Sequence, residues 1–201
     1  MRELHDRYFR QAKREGKLAR SYYKLAAIDR REKLFTPQVK NIIDLGAAPG
    51  SWLEYILEQT ASRPVPAIIC AADLKVIAKK FKPSVHFIQR DINEIPLDAF
   101  APFCDKFDLV LSDMAPNTTG VKIVDQARSL ELCEVAARFA AQNLRAGGAF
   151  VAKIFAGVAT PDFVARLRTH FAEVKTYKPD ASRDESFEFY VIGKDFQGIN
   201  N

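Results

Sequence analysis

The chain has 201 residues, of which 48% are hydrophobic and 27% charged, with a net charge of +5. That length and composition suit one soluble domain with a full core, and no apolar run approaches the roughly 18–20 residues that span a bilayer. The charged start Met1-Arg2-Glu3-Leu4-His5-Asp6-Arg7 reads against a secretory signal, and Cys70, Cys104 and Cys133 read as free thiols; both point to the cytoplasm. Residues 1–40 hold twelve Lys/Arg against five Asp/Glu, a net of +7, while the remainder holds 18 against 20, a net of −2. The positive excess therefore sits in an N-terminal arm, which points to a polyanion such as nucleic acid.

In chain order, residues 3–15 and 18–34 read as helices. Arg7, Arg10, Lys13, Arg14 and Lys17 recur at three- and four-residue spacing and share a face. Tyr8, Phe9, Tyr22 and Tyr23 interleave with them, as stacking platforms or as packing. After Thr36-Pro37, strands and helices alternate. The expected strands are Val39–Asp44, Ala67–Asp73, Val85–Asp91, Phe107–Asp113 and Ala149–Phe155, followed by Phe171–Tyr177 and Phe187–Ile192. A helix is expected over Gly50–Gln59 and a long one from about residue 121 to Arg145, capped by Gly147-Gly148. A further helix starts at Thr160-Pro161-Asp162, with Thr160 as N-cap. Such alternation predicts an α/β domain, a mostly parallel sheet covered by helices on both faces. We expect one domain over 1–201, a basic helical arm (1–37) on a cofactor-binding and catalytic core (38–201).

Asp44-Leu45-Gly46-Ala47-Ala48-Pro49-Gly50 joins the first strand to its helix. A small-residue turn there brings backbone N–H groups and a helix N-terminus close to a ligand. It is neither G-x-G-x-x-G nor a P-loop, which disfavours a nicotinamide-dependent oxidoreductase. Asp44, Asp73, Asp91 and Asp113 close the first four strands. Asp73 suits ribose hydroxyls and Asp91 an adenine amino group, whereas Asp44 is expected only to orient the turn. A nucleoside-plus-carboxylate ligand fits, and S-adenosylmethionine is one.

Lys153 lies inside an apolar strand and Glu188 inside Phe187-Glu188-Phe189-Tyr190. Buried charges need partners, so Lys153, Asp113 and Glu188 are expected to meet near the cofactor crevice, either as catalytic groups or as a structural ion pair. A non-catalytic RNA-binding factor would have little use for such charges. His5, His86 and His170 are scattered and no Cys spacing suits zinc, so no metal site is expected.

Asp44–Gly50 with Trp52, Ser112-Asp113-Met114-Ala115-Pro116-Asn117, Val151–Phe155, Lys178–Arg183 and Glu188 closely resemble the FtsJ/RrmJ family. These are S-adenosylmethionine-dependent ribose 2′-O-methyltransferases with a Rossmann-like seven-stranded sheet. In the arm, Gln11–Gly16 and Ala19–Leu25 also match. The resemblance implies a catalytic tetrad of Lys24, Asp113, Lys153 and Glu188. It implies cofactor contacts from Gly46, Gly50, Trp52, Asp73, Asp91 and Asp113. It implies a uridine in the A-loop of large-subunit ribosomal RNA as target, with tRNA or another RNA as the alternative, and a monomeric enzyme without membrane attachment. Arg10, Lys13, Arg14, Lys17 and Arg20 are then the residues expected to meet RNA. Two departures stand out. Lys75–Lys80 replaces a Pro- and Met-containing run, and Ser51 replaces a second glycine.

Overall fold

The computed structural model describes residues 2–81, 84–96, 98–182 and 187–198. Arg183 of the last motif and the side chain of His5 lie outside what is described. Seven strands form one sheet in the order β3-β2-β1-β4-β5-β7-β6. They are β1 (Asn41–Leu45), β2 (Ile68–Asp73), β3 (His86–Gln89), β4 (Phe107–Ser112), β5 (Leu144–Phe155), β6 (Phe171–Tyr177) and β7 (Glu188–Phe196). The first five run parallel; β7 enters antiparallel between β5 and β6. This is the mostly parallel α/β sheet expected from the alternation, in the Rossmann-like seven-stranded form that the resemblance implied.

The helices are α1 (Arg2–Arg14), α2 (Ser21–Glu32), α3 (Ser51–Thr60), α4 (Lys122–Asn143) and α5 (Thr160–Leu167). Two apolar clusters flank the sheet. In one, Cys133, Ala136 and Phe139 of α4 and Phe163 and Leu167 of α5 meet Phe107, Val110 and Phe150. In the other, Leu25 and Ile28 of α2 and Trp52, Leu53 and Ile56 of α3 meet Leu109, Leu111 and Val151. Successive residues of β4 thus serve opposite faces, which is why the strands are apolar throughout. Helix α2 is therefore a wall of the core as well as part of the arm. The arm's aromatics serve packing: Tyr23 lies 5.7 Å from Tyr8, and Tyr22 lies 5.2 Å edge-on to Tyr55. Phe9 is exposed.

Several boundaries differ from expectation. Helix α4 ends at Asn143, and Leu144 is already extended. Gly147-Gly148 does not cap it but lies in a bulge of β5, where Phe107 pairs with Leu144 yet Leu109 pairs with Ala149. A strand that begins immediately at the helix end leaves no room for a glycine cap. Thr160 is the first residue of α5 rather than its N-cap, which is Ala159; its hydroxyl accepts from the Gly157 N–H at 3.0 Å. Strand β3 is a half-exposed edge, shorter than its apolar run suggested. Strand β7 runs four residues further, to Phe196, where Phe171 pairs with it.

The turn after β1 holds its shape through two glycines. Gly46 has φ +78°, and a Cβ there would stand 2.5 Å from Cγ of Met114. Gly50 has φ +115°, and its Cβ would enter the Phe81 ring. Only glycine combines that backbone with so close a neighbour. The segment departing from the family run closes over the same turn: the Ala78 N–H donates to the Pro49 carbonyl at 3.0 Å, and Phe81 covers Gly50. Ser51 ties the turn to the arm, its hydroxyl donating to the Ala19 carbonyl at 3.1 Å.

Candidate active site

A cavity of about 850 Å³ opens beyond the carboxyl ends of β1, β2 and β4, where ligands bind in sheets of this type. Gly46, Asp73, Asp91 and Asp113 line it, with Ile92 and Met114 supplying apolar surface. Asp73 is already oriented: Oδ2 accepts from the Ala48 N–H at 2.8 Å and Oδ1 from the Lys75 N–H at 2.7 Å. Its remaining lone pairs can take hydroxyl protons. Asp91 caps a single 3-10 turn, Oδ1 accepting from the Asn93 N–H at 2.9 Å. The cap places that carboxylate on the wall of the cavity.

Asp44 behaves differently from its expected role. Asp73, not Asp44, bonds to the glycine turn. Asp44 is wholly buried, and neither carboxyl oxygen has a partner among the described residues. Burial pushes its carboxyl well above the usual range, and the nearby Asp113 and Asp73 carboxylates add to the shift. Gly50 and Trp52 are not among the residues that line the cavity. Gly50 packs on Phe81. Trp52 is buried against Tyr190, ring centres 5.8 Å apart, and its indole N–H donates to the Ser21 carbonyl at 2.9 Å.

At Asp113, on the wall of the cavity, four charges converge from four elements. Nζ of Lys153, on β5, lies 3.0 Å from Oδ1 of Asp113 and donates to the Asp113 carbonyl at 2.6 Å. Nζ of Lys24, on α2, bonds Oε1 of Glu188, the first residue of β7. The antiparallel register sets Lys153 opposite Tyr190 and Phe155 opposite Glu188, which brings the two pairs together. All four side chains are largely buried. Burial alone would raise the Glu188 carboxyl, but the Lys24 ammonium, by charge and hydrogen bond, and then Lys153 hold it below its ordinary value of 4.5. Lys24, indistinguishable from a surface lysine by spacing, is buried because α2 forms a wall of the core.

Sequence reasoning passed over two residues here. The Tyr190 hydroxyl donates to Oδ1 of Asp113 at 2.8 Å, and burial, with Asp113 and Glu188 nearby, keeps the phenol protonated. The thiol of Cys133 lies 2.7 Å from the Lys153 carbonyl, and burial pushes that thiol up to about 12. Tyr190 had a signal, a polar tip two residues after Glu188 and so on the same strand face. Cys133 had none.

A model of FtsJ-like methyltransferases matches residues 18–196 of the chain. The chain belongs to the FtsJ-like methyltransferase family. Among its relatives, the ribosomal RNA large subunit methyltransferase E of Oleidesulfovibrio alaskensis is 42% identical over 201 residues, covering 99% of this chain and 95% of its own. The protein of the same name from Coxiella burnetii is 41% identical, covering 97% of this chain and 92% of its own. A crystal structure described as a ribosomal RNA methyltransferase from Plasmodium falciparum superposes with a TM-score of 0.79 at 30% identity, covering 90% of this chain and 99% of that one. The match to the FtsJ-like model begins at residue 18, after α1. The exposed Arg10, Lys13 and Arg14 of α1 therefore lie outside it. Lys17 is engaged within the fold instead, its ammonium 2.5 Å from Glu58 and over the Tyr22 ring at 4.0 Å. Arg20 is half-buried just before α2. Among the described residues no helix is long and apolar enough to cross a membrane, and no cluster of His, Cys, Asp and Glu is placed to hold a metal ion.

Proposed function

We propose that this FtsJ-like methyltransferase transfers a methyl group from S-adenosylmethionine to a ribose 2′-hydroxyl of large-subunit ribosomal RNA, a uridine of the A-loop. The observation that carries the reading is the pair of buried ion pairs, Lys153–Asp113 and Lys24–Glu188, that meet where Asp113 lines the cavity. The names of the relatives supply the RNA.

The cavity fits the donor. Asp73 has oriented lone pairs for ribose hydroxyls, Asp91 can accept from an amino group, and Ile92 and Met114 offer apolar faces for a base. The orphaned Asp44 carboxyl, two residues before Gly46, lies where a nearby positive charge would be welcome. When bound, S-adenosylmethionine would supply a methyl carbon on a sulfonium, whose sulfur can leave with the bonding electron pair.

The chain's own residues position the acceptor and remove its proton. An unprotonated amine has two hydrogens and one lone pair. In the ion pair Lys153 is an ammonium held by the Asp113 carbonyl and Oδ1; once it has given one proton to solvent, those two contacts take its remaining hydrogens and the lone pair can receive the hydroxyl proton. Tyr190 and Lys153 share Oδ1 of Asp113, so that carboxylate has little freedom to turn. Lys24 fixes Glu188 behind the amine. Alignment of this kind offsets several kcal/mol of a two-body barrier.

The test is to incubate the protein with labelled S-adenosylmethionine and separated ribosomal subunits, then map alkali-resistant linkages. Label on a large-subunit ribose supports the reading. Label only on a base, or on tRNA alone, overturns its substrate.

A further inference from the structure

A second cavity, of about 290 Å³, opens at Glu188 of the charged group. Thr176, Tyr177 and Lys178 line it from the end of β6, and Phe187, Glu188 and Phe189 from the start of β7. The two cavities divide the two carboxylates of the group. The larger is lined by Asp113 and not by Glu188; the smaller by Glu188 and not by Asp113. Lys153, paired with the one and close enough to influence the other, stands between them. Displacement at a saturated carbon needs the entering atom opposite the leaving one. Two separate chambers that reach one charged group through different carboxylates leave room for that arrangement.

The smaller cavity has the chemistry of a nucleoside seat. Phe187 stands edge-on to Phe155 at 5.3 Å, so its ring is fixed, and the Lys122 ammonium lies 5.4 Å from its centre. The Tyr177 ring carries the Arg31 guanidinium at 4.7 Å. Aromatic faces suit a base, and Lys122, Lys178 and Arg31 around them suit the flanking phosphates. The volume lies just below the usual range of ligand cavities, roughly 300–1,000 Å³, so it has room for one nucleoside at most and not a base pair. The target must therefore be turned out of its stack, as single-stranded RNA loops allow.

We propose that this cavity holds the nucleoside being methylated, its base against Phe187 and Tyr177 and its ribose at the Glu188 end. The inference rests on the 2′-O-methylation reading above. It is tested by steady-state transfer to the acceptor RNA with Phe187→Ala and Tyr177→Ala. Each should raise KM for RNA on the order of tenfold. The donor dissociation constant should not change, and Phe187→Trp should restore the RNA KM. As a readout that needs no variant to fold, the wild-type chain is irradiated with acceptor RNA and S-adenosylhomocysteine, and the adducts are mapped. Adducts at residues 176–178 or 187–189 support the seat. An acceptor KM within twofold of wild type in both alanine variants, or adducts only elsewhere, overturns it. If the wild-type chain methylates no RNA ribose at all, the broader reading fails instead.

Discussion

Lys153 touches Asp113 twice, through the side-chain oxygen at 3.0 Å and through the backbone carbonyl at 2.6 Å. The second contact matters because a carbonyl at a strand end cannot rotate away. The amine is held by the sheet itself and not only by another mobile side chain. A proton acceptor so placed predicts that Lys153→Ala lowers kcat by roughly 10²–10⁴-fold while the donor dissociation constant stays unchanged. Lys153→Arg should not rescue it, since a guanidinium stays protonated and offers no lone pair. Single-turnover methyl transfer measures both. An alanine variant within threefold of wild type would remove Lys153 from the chemistry.

The Lys24–Glu188 pair makes a claim about stability. Both side chains are nearly excluded from water, at 6% and 11% exposure. Removing one partner leaves the other charge buried, which costs about 3 kcal/mol; replacing both with apolar groups costs less. Lys24→Met should therefore lower Tm more than Lys24→Met/Glu188→Leu, as thermal melts will report. The pH dependence has a definite sign. The Glu188 carboxyl is lower folded than its unfolded value of 4.5. Its stabilisation is present above 4.5 and is lost as pH falls through the folded value, and Lys24→Met should shrink that loss.

Trp52 separates resemblance from geometry. The family pattern makes it a donor contact, but its indole N–H is committed to Ser21 and its ring to Tyr190. Trp52→Phe should cost about 1 kcal/mol of stability by losing one buried hydrogen bond. Donor affinity should stay within twofold in calorimetric titration. A tenfold loss of affinity without loss of stability would return Trp52 to the cavity.

The legible part of this site follows from burial. A lysine among Ala149–Phe155 and a glutamate among aromatics were conspicuous because apolar strands have no place for unpaired charge, and the strand-end aspartates followed from sheet topology. Lys24 was legible only through the family resemblance, and the contact of Cys133 with Lys153 not at all, because their places depend on how α2 and α4 lie against the sheet, which no local pattern encodes. Gly147-Gly148 misled for a similar reason. Glycine pairs serve helix ends and bulges alike, and only the register between β4 and β5 separates the two. Lys17 shared a helical face with Arg10, Lys13 and Arg14 in sequence, yet the fold turned it onto Glu58.

That difference within the arm can be measured. If RNA phosphates meet the exposed side chains of α1, changing Arg10, Lys13 and Arg14 together to Gln should weaken RNA binding. It should also reduce the slope of log affinity against log salt by about 2–3. Lys17→Gln should leave the slope unchanged and lower Tm instead, because it breaks the contact with Glu58 and Tyr22. Filter binding across a salt series, with melts alongside, tests both; an unaltered slope in the triple variant would make α1 a solvated helix and nothing more.

Asp44 yields the remaining prediction. Its carboxyl is raised well above 3.8 by burial first and by Asp113 and Asp73 next, and its oxygens have no partner among the described residues. An acid whose folded value exceeds its unfolded one contributes stability below pH 3.8. That contribution is lost as pH rises toward the folded value, at about 1.4 kcal/mol per pH unit between the two. The wild-type chain should therefore lose stability relative to Asp44→Asn on going from pH 4 to pH 7, since the amide does not titrate. Saturating S-adenosylmethionine should narrow the gap at pH 7, because a cation near Asp44 offsets the cost of its ionisation. Denaturant titrations of both chains at the two pH values, with and without donor, read this directly. Parallel stabilities across that range would mean that Asp44 finds solvent or a partner and is an ordinary carboxylate.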